Sequence, residues 1–126
     1  MRSWLRSLMF ILAFATGAAF AADTPFTQGN FDALQKSGKP TLVMIHADWC
    51  PTCKAQAPIL GQLLGSPEFK GINALRVDFD SQKDVVKAFK ATMQSTLIVY
   101  KDGKEVGRST GDTKKDSITA LLKKAV

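Results

Sequence analysis

Two residues separate Cys50 from Cys53, and the chain of 126 residues contains no other cysteine. Cysteines at this spacing can close a small disulfide across the first turn of a helix, and such a bond opens again when another thiolate attacks it. A structural disulfide adds most stability when it closes a long loop, whereas a bond between Cys50 and Cys53 would close a very short one. The spacing therefore favours a redox-active pair over a structural crosslink.

The residues around the pair indicate which thiol reacts first. Pro51 suits the first position of a helix, so Cys50 is expected at the N-cap, where its sulfur can accept hydrogen bonds from the Thr52 and Cys53 amides. Together with the helix dipole, these bonds favour the thiolate form of Cys50. Cys50 is therefore the predicted nucleophile. Cys53, expected to be more buried and less ionised, is predicted to resolve the mixed disulfide.

The pattern of apolar and polar residues predicts an α/β domain with a central mixed sheet of four or five strands and helices on both faces. The run 41–45 is apolar on both alternate positions, which is typical of a central strand. Asp102-Gly103 is a hairpin-turn signal. In order, the predicted elements are a helix at 30–36, a strand at 41–45, a helix at 55–64, a strand at 75–79, a helix at 85–89 behind a capping box at 81–84, strands at 96–100 and 104–108, and a helix at 118–125 behind a capping box at 113–116, with a short strand at 25–27 as an additional candidate.

Residues 1–21 are predicted to be a secretory signal peptide and residues 22–126 a single domain. Arg2 and Arg6 precede an apolar stretch, and 19–21 supplies small residues at a cleavage-type spacing. The alternative is an uncleaved N-terminal membrane anchor, although the apolar stretch is near the lower limit of ~17 residues for a span.

The positive charge of the chain, formally +6, is scattered along the sequence. A surface that binds nucleic acid needs a concentrated basic stripe. Nucleic-acid binding is therefore not expected.

Three features together resemble the thioredoxin family: Trp49 followed by Cys-x-x-Cys-Lys after an apolar strand, Pro58 five residues beyond the second cysteine, and the stretch Thr-Leu-Ile-Val-Tyr-Lys-Asp-Gly-Lys at 96–104. The resemblance runs from about residue 31 to the C-terminus. Asp48 and the Cys-Pro-Thr-Cys sequence are especially similar to exported bacterial members of the family.

The resemblance implies a thioredoxin fold, disulfide exchange with protein thiols and disulfides in the periplasm, and no bound cofactor. It also implies a membrane thiol carrier as electron donor, and the protein is expected to be a monomer. Pro51-Thr52 lacks the histidine that stabilises the thiolate in strong oxidants, which favours a reductant. An alternative is a thioredoxin-like interaction domain whose disulfide is never turned over.

Trp49 and Pro58 are both expected to support the site. Trp49 is predicted to shield the sulfurs and to offer a contact surface for partners. Pro58 is predicted to kink its helix because it cannot donate to the Lys54 carbonyl; the alternative is that it marks a helix boundary.

The chain departs from the family where thioredoxins carry a cis-proline facing the thiols, because Ser95 stands there. A cis bond before a residue other than proline costs about 2.5–4 kcal/mol, so the Gln94-Ser95 bond is predicted to be trans or, if it is cis, to be held by the surrounding fold. Gln94, Ser95 and Thr96 form the predicted substrate-docking loop.

Thioredoxins also bury an acid on the central strand, where this chain has Met44. We therefore expect that Cys53 passes its proton to solvent or to Asp48, which is expected to be exposed.

His46, the single histidine, supports a hypothesis of another class. An isolated histidine is more often a strand-end residue than a ligand. However, His46, Cys50, Cys53 and Met93 are soft donors of the kind that bind Cu(I), and the missing cis-proline would leave space beside the sulfurs. If these four residues converge, the domain is a periplasmic copper-binding or copper-delivery module.

Overall fold

The computed structural model describes residues 23–126, so the predicted signal peptide lies outside the described residues. In the described part, no helix is both long enough and apolar enough to cross a membrane. The elements are β1 (Thr24–Pro25), α1 (Gln28–Lys36), β2 (Thr41–His46), α2 (Pro51–Leu64), β3 (Asn73–Asp78), α3 (Lys83–Ala88), β4 (Thr96–Lys101), β5 (Lys104–Thr110) and α4 (Lys115–Lys123).

The five strands form one mixed sheet in the order β1-β3-β2-β4-β5. The central strand β2 runs parallel to β3 and antiparallel to β4. Five consecutive residues of β2, from Thr41 to Ile45, are buried, as their apolar character predicted for a strand covered on both faces.

Both faces of the sheet are covered by helices, so the predicted α/β architecture is confirmed. Side chains alternate across β2, which places Met44 on one face and Ile45 on the other. Met44 belongs to a core that α2 and α4 complete, with Leu60 and Ile118 among its members. Ile45 belongs to a second core that α1 and α3 cover.

The hairpin between β4 and β5 turns at Asp102 and Gly103, as predicted. Both residues have positive φ, 53° and 78°. Two such residues in succession match the right-handed twist of the paired strands.

The capping box predicted at 81–84 is wrong. α3 begins after Gln82, and no side chain caps its first turn. The Asp78 carboxylate has taken the nearby amides instead, since it accepts from Ser81 at 3.0 Å and from Asp80 at 2.9 Å. These two bonds, that from Ser81 first, lower the pKa of Asp78.

The capping box predicted at 113–116 is also wrong, for a similar reason. α4 begins after Lys114, again without a side-chain cap. Asp112 lies before the helix and accepts from the Lys114 amide at 2.9 Å and from the Ser117 hydroxyl at 2.7 Å. In both cases a carboxylate that precedes the helix bonds to groups near the start of the helix, and the N-cap residue makes no side-chain capping bond.

Candidate active site

The end of β2 and the start of α2 place the two cysteines at one edge of the sheet. Cys50 is the N-cap of α2 and Pro51 is the first helical residue, as predicted. The Cys50 sulfur accepts a hydrogen bond from the Cys53 amide at 3.1 Å. The second predicted bond, from the Thr52 amide, is not found among the described residues. The helix dipole and one amide therefore face the Cys50 sulfur.

Both cysteines are free thiols, and both are buried. Cys50 is 1% exposed and Cys53 is 4% exposed, so the prediction that Cys53 is the more buried of the two is wrong. An N-cap side chain turns back over the first helical turn, and this conformation packs the Cys50 sulfur against its surroundings. Ala47 and the partly buried Phe79 complete this small cluster.

The Cys53 thiol holds its proton tightly. Burial, followed by a hydrogen bond with the Cys50 side chain, raises the pKa of Cys53 to about 11. Backbone groups of Ala47 and Ser95 bond to Cys53 and lower its pKa in part. As predicted, Cys53 is little ionised at neutral pH.

Ser95, which stands where the sequence comparison expected a cis-proline, follows a trans peptide bond, the first of the two predicted alternatives; no cis bond occurs between residues 23 and 126. Its φ is +60°, in the left-handed region that strains a residue with a side chain. The Ser95 amide donates to the Ile45 carbonyl at 2.7 Å, and the Ser95 carbonyl accepts from the Gly111 amide at 3.1 Å. These bonds hold the strained turn beside Cys53.

The loop predicted to dock substrates is only partly accessible. Ser95 and Thr96 are buried, and the Thr96 hydroxyl donates to the Met93 carbonyl at 2.8 Å. Gln94 is half-buried. Met93, by contrast, is 51% exposed. The accessible apolar side chain of this loop is therefore Met93 rather than any of the three predicted residues.

Gln56 is a site residue that the sequence pattern did not reveal. It is buried on α2, and its amide nitrogen donates to the Ser95 carbonyl at 3.2 Å and to the Asp112 carbonyl at 2.8 Å. The available signal was its position on the apolar helical stripe, four residues before Leu60. A polar residue at such a position needs buried partners, and here they are the two carbonyls.

Trp49 is 56% exposed, in agreement with a role as a contact surface. Its indole nitrogen donates to the Asp80 carboxylate at 2.7 Å, which fixes the ring beside Cys50. Asp80 was not singled out from the sequence because it lies 31 residues further along the chain.

Two supporting residues lie on α2. Thr52 is half-buried within the first turn. Pro58 lies inside the helix, which continues to Leu64, so the helix-boundary alternative is wrong. The kink at Pro58 stays a prediction.

The convergence of copper ligands is not found. Between residues 23 and 126, no three His, Cys, Asp or Glu side chains are grouped closely enough to hold a metal ion, so His46 does not join both thiols. His46 instead pairs with Asp48, with 3.1 Å between the imidazole Nε2 and the carboxylate Oδ1. Asp48 is exposed, as predicted, with 98% of its side chain accessible.

A cavity of about 290 Å³ lies behind Cys53. Its polar lining includes His46, Gln56 and an ion pair in which Arg76 contacts both carboxylate oxygens of Asp23, at 3.0 and 3.1 Å. Met44 also lines the cavity and, as the sequence indicated, places no acid there. The remaining lining residues are Ile45, Ala57, Leu60, Gly61 and Leu64.

The chain is similar in sequence and in structure to several known proteins. Residues 23–124 match the family model described as Thioredoxin. The thioredoxin of Chlamydia trachomatis serovar D is 38% identical over 98 residues, covering 78% of this chain and 93% of the relative. That of Staphylococcus saprophyticus is 36% identical over 98 residues, covering 78% and 92%. The crystal structure of Trxlp from Edwardsiella tarda EIB202 aligns with a TM-score of 0.78 at 39% identity, covering 80% of this chain and 98% of that chain.

Proposed function

The chain belongs to the thioredoxin family, and from this premise we propose that it is an exported protein that reduces disulfides in protein substrates of the bacterial periplasm. The family membership makes the chain a thiol-disulfide oxidoreductase with the thioredoxin fold, acting on protein disulfides. The cellular location, the direction of electron flow and the role of each residue are the content of the proposal.

The observation that carries the proposal is the geometry of the two thiols. The Cys50 sulfur lies at the amino end of α2, faces the positive end of the helix dipole and accepts from the Cys53 amide. The Cys53 thiol lies one turn further along and keeps its proton at neutral pH. This asymmetry divides the work between an attacking sulfur and a resolving sulfur.

The reaction proceeds in two exchanges. The Cys50 thiolate attacks a substrate disulfide, forms a mixed disulfide and releases the first substrate thiolate. Cys53 then loses its proton and attacks the Cys50 sulfur, which forms the Cys50–Cys53 disulfide and releases the second substrate thiolate. The enzyme is oxidised by two electrons, and the substrate disulfide is reduced. An external thiol donor of the membrane then regenerates the two thiols, and no bound cofactor takes part.

Two exposed apolar side chains, Trp49 and Met93, are the proposed substrate-docking surface. Trp49 precedes Cys50 directly, and Met93 lies two residues before Ser95, whose backbone bonds to Cys53. Exposed aromatic and methionine side chains are enriched where proteins bind partners. Because Cys50 itself is 1% exposed, a docked substrate must displace part of its covering before attack.

Export is supported by the sequence of residues 1–21, and the reducing direction by Pro51-Thr52. Cell fractionation and N-terminal sequencing test export: a periplasmic protein that begins at Ala22 is expected. A protein retained in the cytoplasm with its first 21 residues intact would contradict it.

The reduction potential of the dithiol tests the direction of electron flow. A value near −270 mV is expected of a reductant, and one above about −150 mV would reverse the assignment.

Turnover and trapping test the division of roles. Reduction of a model protein disulfide should fall by about 10³-fold or more in Cys50→Ser. Cys53→Ala should instead accumulate a stable mixed disulfide when it is expressed in its own cell envelope. The double variant Cys50→Ser/Cys53→Ala is the matched control and should trap nothing. Failure of the native protein to reduce any model disulfide would favour the inert interaction domain.

A further inference from the structure

The resolving step needs a group that accepts the Cys53 proton. Burial is the largest of the causes that raise the pKa of Cys53, and it still applies when Cys50 is bonded to a substrate, so the thiol holds its proton at pH 7. A thiol is far less nucleophilic than a thiolate, so an unassisted resolution would be slow. Met44 lines the adjacent cavity and has no proton to exchange.

His46 lines the same cavity as Cys53. Side chains alternate along β2, so His46 projects from the face that carries Met44, beneath α2. Its Nε2 lies 3.1 Å from the Asp48 carboxylate, which fixes the orientation of the ring. Imidazole is the side chain that gains and loses a proton near neutral pH, and a base held by a carboxylate beside a thiol is a recurrent catalytic arrangement.

The other charged groups around the cavity are poorer acceptors. Both oxygens of Asp23 already accept hydrogen bonds from the Arg76 guanidinium, at 3.0 and 3.1 Å. Asp78, opposite His46 in the register of β2 and β3, accepts from two backbone amides. Asp48 is exposed to water and does not line the cavity.

We propose that His46 accepts the Cys53 proton across this cavity when the mixed disulfide is resolved, and that Asp48 positions the imidazole for this transfer. The inference rests on the proposed function because it assigns the resolving role to Cys53. The cavity of about 290 Å³ has room for several water molecules at ~30 Å³ each, and such waters can relay the proton.

The Cys53 S–H bond gives its proton to the imidazole, and its electron pair forms the bond to the Cys50 sulfur. The bond between Cys50 and the substrate sulfur breaks, and the substrate thiolate leaves with that electron pair. The imidazolium returns its proton to solvent, from which the substrate thiolate takes one up.

The experiment follows the two exchanges separately. Reduced mature protein is mixed in a stopped-flow instrument with an aromatic disulfide, 5,5′-dithiobis(2-nitrobenzoate), that releases one coloured thiolate at each exchange. In His46→Gln the second phase should slow by about 10²-fold at pH 7, while the first phase stays within about twofold of native. The variant's second-phase rate should rise about tenfold per pH unit, because it then depends on the ionisation of Cys53, whereas the native rate should level off.

Chemical rescue by free imidazole distinguishes a proton-transfer role of His46 from a structural one. In His46→Ala, free imidazole should restore the second phase in proportion to its concentration. Asp48→Asn changes a side chain that is 98% exposed, so the fold is expected to persist, and the second phase should slow several-fold. Unchanged second-phase rates and pH dependence in His46→Gln overturn the proposal, and so does a slow second phase that imidazole does not restore.

Two controls separate the possible failures. Asp23→Asn should leave the second phase unchanged; if Asp23→Asn, rather than His46→Gln, slows the second phase and makes its rate rise about tenfold per pH unit, the proposal is overturned in favour of Asp23. Cys53→Ala should lack the second phase altogether. A second phase that persists in Cys53→Ala contradicts the proposed function itself, whatever the His46 variants show.

Discussion

The two sides of the dithiol site are built in different ways. On the Cys50 side, the hydrogen bonding around the sulfur is local: the N-cap, Pro51 at the first helical position and the bond from the Cys53 amide all lie within four consecutive residues, and Phe79 adds only an apolar contact from further along the chain. On the Ser95 side, the turn is held by bonds to Ile45, Gln56 and Gly111, which belong to three other parts of the chain. The first side follows from helix chemistry, whereas the second depends on the completed fold.

The difference also concerns strain. Cys50 has φ −80° and ψ 113°, ordinary extended values for an N-cap. Ser95 has φ +60°, a conformation that costs a residue with a side chain about 1–2 kcal/mol. The long-range bonds must offset this cost. The Ser95 side should therefore be the more sensitive of the two to substitution.

Ser95→Pro should have the largest effect on stability. Proline holds φ near −65° and lacks the N–H that donates to the Ile45 carbonyl at 2.7 Å. The native turn can accept neither change, so we expect the free energy of unfolding to fall by roughly 3 kcal/mol or more. Urea denaturation of the reduced variant measures this loss.

The matched control is Ser95→Gly, which keeps the N–H and removes the strain of the side chain. Its stability should be equal to that of the native protein or up to about 1 kcal/mol higher. If Ser95→Pro proves as stable as the native protein, the turn has adopted another conformation, and the strain at this position is not imposed by its surroundings.

Gln56→Leu should have the next largest effect. It leaves the Ser95 and Asp112 carbonyls without the amide donor that now bridges them. The Ser95 carbonyl keeps its bond from the Gly111 amide, so only the Asp112 carbonyl loses its donor. An unpaired polar group costs about 1–3 kcal/mol, so a loss of about 2 kcal/mol in the free energy of unfolding is expected. Gln62→Leu, at an exposed position of the same helix, is the matched control and should change stability by less than about 0.5 kcal/mol. Equal effects of the two changes would show that the bridge does not support the turn.

The pH dependence of stability sharpens the comparison at Cys53, which receives backbone bonds from both sides. The pKa of Cys53 is raised from 9.0 to about 11, and burial is the largest cause. A pKa raised by folding means that the folded state holds the proton more tightly. The resulting stability is therefore fully present below pH 9 and is lost as the pH rises through 11. At ~1.36 kcal/mol per pKa unit, the reduced protein should lose about 2 kcal/mol over this range.

Denaturation of reduced native protein and reduced Cys53→Ala at pH 8, 9, 10 and 11 measures this loss. Tyr100, whose pKa burial raises to about 12, contributes equally to both proteins and cancels in the difference. Parallel pH profiles of the two proteins would mean that Cys53 ionises as easily in the folded state as in the unfolded chain.

The two sides also differ in how far the sequence could predict them. The N-cap at Cys50, the start of α2 and the hairpin at Asp102-Gly103 were predicted correctly, because neighbouring residues determine them. The positive φ of Ser95 and the bridging role of Gln56 were not, because their partners lie up to 56 residues away. The order of elements was sufficient for the α/β fold class, since apolar periodicity reflects burial directly.

Locality alone does not guarantee a correct prediction. The capping boxes at 81–84 and 113–116 were wrong although every residue concerned is near in sequence, because Asp78 and Asp112 accept the amides from outside each helix. The pairing of His46 with Asp48 spans only two residues and was likewise missed. In these cases several local partners compete, and the surrounding structure decides between them.

Pro51→Ala should have the smallest effect and tests the local side. Proline at the first helical position gives up no helical hydrogen bond, and its fixed φ suits the helix. Alanine at this exposed position should therefore lower the free energy of unfolding by only about 0.5 kcal/mol, mainly by freeing the unfolded chain. Pro58→Ala is the informative counterpart, since an alanine inside the helix gains the bond to Lys54 and should raise stability. If Pro51→Ala costs as much as Gln56→Leu, the Cys50 side also depends on long-range contacts, and the contrast between the two sides of the dithiol disappears.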